Sequence, residues 1–256
     1  MFVVHITPQP SEVVQSMGVS EVTYAQRMLE ALKVPSRDLI AINAIDLPLP
    51  RLDGIDAIVV GGSRCSVYDG RPWQERLEEW IREAVARDIP FLGICYGHQS
   101  LVRAFGGVVE KDPNGREFGL TTIDLTKEGL MHSLFKGLPT AFTLYANHAD
   151  CVTQLPLDFT LLATNKYHPI QFIARGTKVF GIQPHPEYTA ELALAVLNSR
   201  KEIFFQEGFI HSKEGLSLLV ESIKQANEVV TATGRRILQN FLEGPVTDHM
   251  KSKSIS

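Results

Sequence analysis

The stretch "FLGICYGHQSLVRAFGG", Phe91 to Gly107, decides how the chain folds. Its opening residues are apolar and read as a short buried strand. "YGHQSLVRAF" reads as a helix, and Gly106-Gly107 stops it. Cys95 stands at the junction, with Gly93 before it and Gly97 after it. G-x-C-x-G repeats the G-x-S-x-G pattern, in which a strand turns sharply into a helix and leaves a nucleophile at the tip. The glycines remove bulk where backbone segments approach closely. A thiol there lies at a helix N-terminus, where unpaired N–H groups and the dipole favour the thiolate, its reactive form. The backbone N–H of Tyr96 would point at any oxygen that becomes charged. The competing reading is a small buried cysteine in a tight turn, since free cysteine is commonly a core residue.

Working outward, "FVVHI" (Phe2 to Ile6) is a β-rich run. Ala25, Met28, Leu29 and Leu32 share one helix face that Pro35 ends, and "LIAINA" reads as a second strand. "AIVVGG" (Ala57 to Gly62) has the pattern of a buried parallel strand closed by glycines. Trp73, Leu77, Trp80, Ile81 and Ala84 make another helical stripe, with Pro72 at its start. Strand and helix thus alternate up to Gly107, which predicts an α/β fold: a mostly parallel open sheet flanked by helices. Beyond it the strand-like runs "GLTTIDLT", "FTLYAN", "CVTQL", "PIQFIA" and "KVFGIQ" are closely spaced and predict appended antiparallel strands. Helical patterning returns from Ala190 to Phe205, and the stripe Leu216, Leu219, Val220, Ile223 extends it to Gln239. The expected organisation is a domain over residues 1–200, a C-terminal helical extension over 201–245 packed on it, and a polar, frayed tail over 246–256.

Composition narrows the function classes. The chain has 256 residues, 44 % hydrophobic and 21 % charged, with a net charge of -4. The mild acidity argues against nucleic acid or an anionic membrane surface as partner. No apolar run approaches a membrane span, and "MFVVHITPQP" does not read as a signal peptide. Three scattered cysteines, Cys65, Cys95 and Cys151, form neither a disulfide framework nor a zinc pattern. A reducing, cytoplasmic location is expected, with no metal and no cofactor. No G-x-x-x-x-G-K-[ST] phosphate loop occurs.

A thiolate needs a base or a cationic partner. Of the eight histidines, His98 lies along the helix rather than at its tip, His148 sits in "YANHAD", and His168 precedes a proline. His185 is the best candidate. It lies in "GIQPHPEY", after a buried strand, and in an extended segment Glu187 faces the same side and can hold the imidazole. Pro184 and Pro186 lock that segment extended. "VVGGS" offers the N–H groups of Gly61, Gly62 or Ser63 as a second oxyanion donor. All three pieces fall at the carboxyl ends of strands, where ligands gather in open α/β sheets.

"GICYGHQ", with "GGS" upstream and "PHPE" downstream, resembles the class I (triad-type) glutamine amidotransferases. "SVYDGRPW", "REFG" and "NHAD" look most like the glutaminase domain of guanosine monophosphate synthetase and its stand-alone relatives, which include plant γ-glutamyl peptidases. The resemblance covers Ala57 to Tyr188 well, the N-terminal part loosely and the C-terminal extension not at all. It implies Cys95 as nucleophile, His185 as general acid and base, and Glu187 as the residue orienting it. It further implies an oxyanion hole from the Tyr96 and Gly62 N–H groups, and Gln99, Asn147 and His148 as substrate contacts. The chain departs from the family's Ser-His-Gly-Asp, having Asn147-His148-Ala149-Asp150 instead. The implied reaction is hydrolysis of the γ-amide of glutamine through a cysteinyl thioester. No ATP-pyrophosphatase "SGGxDS" stretch occurs. The expected partner is therefore a separate synthetase subunit that takes the ammonia. The alternatives are a free-standing γ-glutamyl hydrolase and a silent binding protein on the same fold.

Overall fold

The computed structural model of the chain describes residues 1–12 and 38–253. The helix expected around Ala25–Leu32 lies outside the described residues. The strands are β1 (Val3–Thr7), β2 (Leu39–Asn43), β3 (Ala57–Val60), β4 (Phe91–Ile94), β5 (Val108–Lys111), β6 (Glu117–Leu125), β7 (Ala141–His148), β8 (Asp150–Gln154), β9 (Thr160–Thr164), β10 (Phe172–Arg175) and β11 (Val179–Ile182). The helices used below are α1 (Pro72–Ala86), α2 (Tyr96–Ala104), α3 (Lys127–Met131), α4 (Ala190–Gln206), α5 (Lys213–Phe241) and α6 (Thr247–Lys253).

A nine-stranded sheet runs β2-β1-β3-β4-β11-β10-β9-β6-β7. Strands β2, β1, β3, β4 and β11 are mutually parallel, and the rest of that sheet is antiparallel. Strands β5 and β8 form a separate antiparallel pair. The protein is therefore an α/β fold with a mixed sheet, parallel in one half and antiparallel in the other, flanked by helices. One expectation is refined here. The run "KVFGIQ", read with the antiparallel group, forms β11, which lies parallel to β4 with Ile182 beside Ile94. That pairing places the segment after β11 next to Cys95.

The central strands are short, apolar and buried on both faces: "AIVV" in β3, "FLGI" in β4 and "VFGI" in β11. This is how a parallel strand covered by helices on both sides must read. One face is packed by α1, which starts with Pro72 at its first turn and buries Trp73, Leu77, Trp80, Ile81 and Ala84. Each large side chain so buried contributes about 1.5–3 kcal/mol of transfer free energy. The opposite face is packed by α4 and α5, whose Val196, Leu197, Ile223, Val230 and Ile237 join sheet residues such as Leu92, Ile94 and Phe180 in one core. Helix α4 runs through residue 200, so the boundary expected there falls inside a helix.

The expectation of a frayed tail is corrected. After a π-helical turn at Leu242–Val246 the chain continues as α6 to Lys253. Val246 and His249 are buried and Met250 packs on the core, so residues spaced three and four apart give this polar-looking segment one inward face. Lys253 closes it with bonds to the Ile55 carbonyl at 2.8 Å and Asp56 Oδ1 at 3.0 Å. Among the described residues, no helix is long and apolar enough to cross a membrane.

Candidate active site

Cys95 sits between β4 and α2 with φ 53° and ψ −103°, a backbone conformation that L-residues rarely adopt. Two bonds hold the turn in place. The Cys95 N–H donates to the Ile182 carbonyl at 2.7 Å, and the Gly97 N–H donates to the Gly61 carbonyl at 3.1 Å. The flanking glycines have a packing reason. A Cβ on Gly93 would run into the Gly97 carbonyl, and one on Gly97 into the Val60 carbonyl. The Sγ points toward the Asn147 carbonyl, 3.7 Å away.

The segment after β11 brings His185 to the same place. Its N–H donates to the Tyr145 carbonyl at 2.8 Å, which ties it to β7. Its Nδ1 lies 2.6 Å from Glu187 Oε1. The ring stacks on Tyr188 at 4.1 Å between centroids. A Cβ on Gly62 would stand 3.1 Å from His185 Cε1 and 3.9 Å from Cys95 Sγ, so Gly62, Cys95 and His185 form one cluster. Burial opposes charge on His185, yet Tyr188, Glu187 and Cys95 around it outweigh burial and hold its pKa well above the ordinary value.

The other expected contacts are differently employed. Gln99 is buried, and its Nε2 donates to the Asp150 carbonyl at 3.0 Å and to Gln183 Oε1 at 3.1 Å. His148 has Glu117 Oε2 2.9 Å from Nε2 and the Asp150 carbonyl 3.1 Å from Nδ1, so protein groups occupy both nitrogens. Burial opposes charge on Glu117, but bonds from His148, Thr121 and Asn165 hold its pKa below the ordinary range. Asn147 donates to the Tyr188 hydroxyl at 3.4 Å, while its Oδ1 is buried without a partner. His98, by contrast, is buried against Gly181 on β11, away from the turn. Among the described residues, no group of three or more His, Cys, Asp or Glu side chains is placed to hold a metal.

The cleft also holds residues outside the expected set. Tyr188 follows the "PHPE" run directly, and its aromatic ring was a readable signal. Arg64, Arg116 and Arg200 also line the space beside Cys95. Arg64 comes from a loop and Arg200 from α4, with no local pattern to mark them, while Arg116 opens the "REFG" run just before β6.

The residues 23–200 match the model of the family described as glutamine amidotransferase class-I. A glutamine-hydrolyzing GMP synthase of Porphyromonas gingivalis is 36 % identical over 59 % of this chain and 29 % of its own length. The chain thus spans less than a third of that relative. Gamma-glutamyl peptidase 3 of Arabidopsis thaliana is 26 % identical over 75 % of this chain and 76 % of its own. Among solved structures, a glutamine amidotransferase of Thermotoga maritima superposes with a TM-score of 0.76 at 20 % identity, covering 95 % of this chain and 99 % of that one. That likeness extends the shared fold over the C-terminal helices. With a match over most of its length and a cysteine turn at the carboxyl end of its central strands, the chain belongs to the class-I glutamine amidotransferase family.

Proposed function

We propose that the protein hydrolyses γ-glutamyl amide bonds through a thioester on Cys95. The observation that carries this is the cluster of Cys95, the His185–Glu187 pair and Gly62 at the carboxyl ends of three neighbouring strands. The Cys95 thiolate attacks the γ-carbonyl carbon, forming the C–S bond. The carbonyl oxygen takes up the negative charge, facing the N–H groups of Gly62 and Tyr96. Collapse breaks the C–N bond, and the departing nitrogen takes a proton from His185. Water then attacks the thioester and gives a proton to His185. Glutamate leaves and the thiolate returns. Glu187 orients the imidazole through Nδ1 and stabilises its charged form. Gln99 and His148 act on the substrate indirectly, by fixing the 147–150 segment through Asp150.

With glutamine as substrate the released amine is ammonia, and a synthetase partner takes it up in the cytoplasm. The relatives named GMP synthase favour this reading. A second reading is a γ-glutamyl hydrolase that releases a larger amine. One observation favours it: the cleft beside Cys95 adjoins a further open hollow of about 460 Å³ toward Lys111, Phe209 and His211, and the two share Arg116 and Ala149. That space exceeds what glutamine needs.

Assays on glutamine, glutathione and a panel of γ-glutamyl dipeptides, read as kcat/KM, test both. A tenfold preference for glutamine, about 1.4 kcal/mol of transition-state discrimination, supports ammonia as the product. The same margin for the peptides supports the hydrolase. No turnover of any of them by a protein whose Cys95 is unreactive contradicts the proposal.

A further inference from the structure

The charged groups beside Cys95 are unevenly partnered. Glu187 is taken by His185. Asp150 accepts from Ser66 at 2.5 Å and Tyr68 at 2.7 Å. Glu207 is held by Arg116 through two bonds, at 2.6 and 2.9 Å. The cations Arg64 and Arg200 remain. Arg64 makes a 3.3 Å bond to Ser199, a neutral hydroxyl. Arg200 lies near the Phe204 ring, its guanidinium carbon 5.9 Å from the centroid, and its Nε is buried without a hydrogen-bond partner. Among the described residues neither forms an ion pair with a carboxylate. Both line the hollow on the His185 side of Cys95 and the cleft on the Gln99 side.

A half-buried guanidinium without a counter-ion is costly, and an arriving anion relieves that cost. Burial, and then the neighbouring Arg116 and Arg64 charges, push the Arg200 pKa down to about 10, which reports the same deficit of negative charge. A guanidinium also matches a carboxylate in shape, with two parallel N–H donors for two oxygens.

We propose that Arg64 and Arg200 form a carboxylate-binding subsite beside Cys95, so that the substrate is a γ-glutamyl compound read by a carboxylate as well as by its scissile bond. The inference rests on Cys95 marking the reacting centre. The carboxylate has two sources: the α-carboxylate of the glutamyl group, or a carboxylate on the leaving amine.

Four compounds separate these sources: glutamine, its α-carboxamide, γ-glutamylglycine, and the same dipeptide with its terminal carboxylate amidated. Their binding to the full-length Cys95→Ala protein by titration calorimetry reads the subsite without the chemistry. The expected result is that amidating one of the two carboxylates weakens binding tenfold or more. In Cys95→Ala/Arg200→Met that penalty falls below threefold, and Cys95→Ala/Arg64→Gln shows a partial loss. Arg200→Lys keeps part of the penalty, which separates charge from the packing on Phe204. A penalty on glutamine α-carboxamide assigns the glutamyl carboxylate; a penalty on the amidated dipeptide assigns the leaving group. The proposal is overturned if neither amidation costs more than threefold, or if the penalty persists unchanged in both arginine variants. If the penalty is present but protein with Cys95 intact turns over none of the four compounds, the subsite stands and the hydrolase reading fails.

Discussion

At the scale of single residues, the candidate site is built on the backbone of Cys95. A non-glycine residue at φ 53° costs about 1–3 kcal/mol and persists only where the surroundings over-determine it. Here the bonds to Ile182 and from Gly97 to Gly61 do so. Cys95→Ala should therefore lower turnover by about 10⁴-fold or more. Cys95→Gly should be equally inactive yet more stable than Cys95→Ala by about 1 kcal/mol, measured by denaturant unfolding, because glycine carries no penalty at positive φ. Equal stabilities would remove the strain argument. His185 yields a pH prediction. Its folded pKa is raised above the unfolded value of 6.5, so its contribution to stability is complete below 6.5 and is lost as pH rises through the folded pKa. If His185 must be charged to release the amine, the alkaline limb of kcat/KM reports it. Glu187→Gln removes one of the charges that raise this pKa, so the limb should move to lower pH while some activity remains. An unmoved limb would mean that another group titrates there. Cys95, His185 and Glu187 were legible in the sequence because each lies in a short motif whose geometry is local. Arg64 and Arg200 were not, because they stand 136 residues apart and meet only through the fold.

At the scale of elements, α5 supports the segment that carries His185. Gly234 lies against the Pro186 backbone so closely that a Cβ would collide with its carbonyl. The Tyr145 hydroxyl donates to the Ile223 carbonyl of α5 at 2.9 Å, and the Tyr145 carbonyl accepts from the His185 N–H. The helix is thus joined to the candidate site by close packing and by a chain of bonds through β7. Gly234→Val should destabilise the protein by about 1–3 kcal/mol through overpacking and should also lower kcat by displacing His185. Val229→Ala, on an exposed position of the same helix, should change neither. Thermal unfolding with parallel rate measurements checks both, and a Gly234→Val protein with normal kcat would show that α5 does not position the segment. The helices themselves were readable from their apolar spacing. The strand β9, "TLLAT", and the short β5, "VVEK", carry no readable strand signal because each is brief and lacks a clear alternation. The parallel pairing of β11 with β4 was beyond local reading, because strand order is set by crossovers and not by the strand's own residues.

At the scale of the whole molecule, the core has buried histidines that cannot accept a proton without loss of stability. Burial lowers the His98 pKa to about 3 and the His5 pKa to about 4. The unfolded chain takes up those protons below pH 6.5 and the folded chain does not, so stability falls as the solution is acidified. The slope is about 1.4 kcal/mol per pH unit for each histidine between the two values. His98→Gln should lower stability at pH 7 but flatten the decline between pH 6 and pH 4, as read by urea unfolding. An unchanged slope would assign the acid sensitivity elsewhere. The three thiols likewise separate only in the assembled fold. Burial pushes the Cys151 thiol up to about 12, which keeps it protonated and unreactive at neutral pH. Cys65 lines the same cleft as Cys95 but lies off the turn between β4 and α2. The most direct test of Cys95 as the nucleophile is labelling with a diazo-ketone analogue of glutamine, followed by peptide mapping. The account predicts one adduct per chain, on the peptide holding Cys95, with loss of activity in proportion to labelling; an adduct mainly on Cys65 or Cys151, or full activity after complete labelling of Cys95, would contradict it.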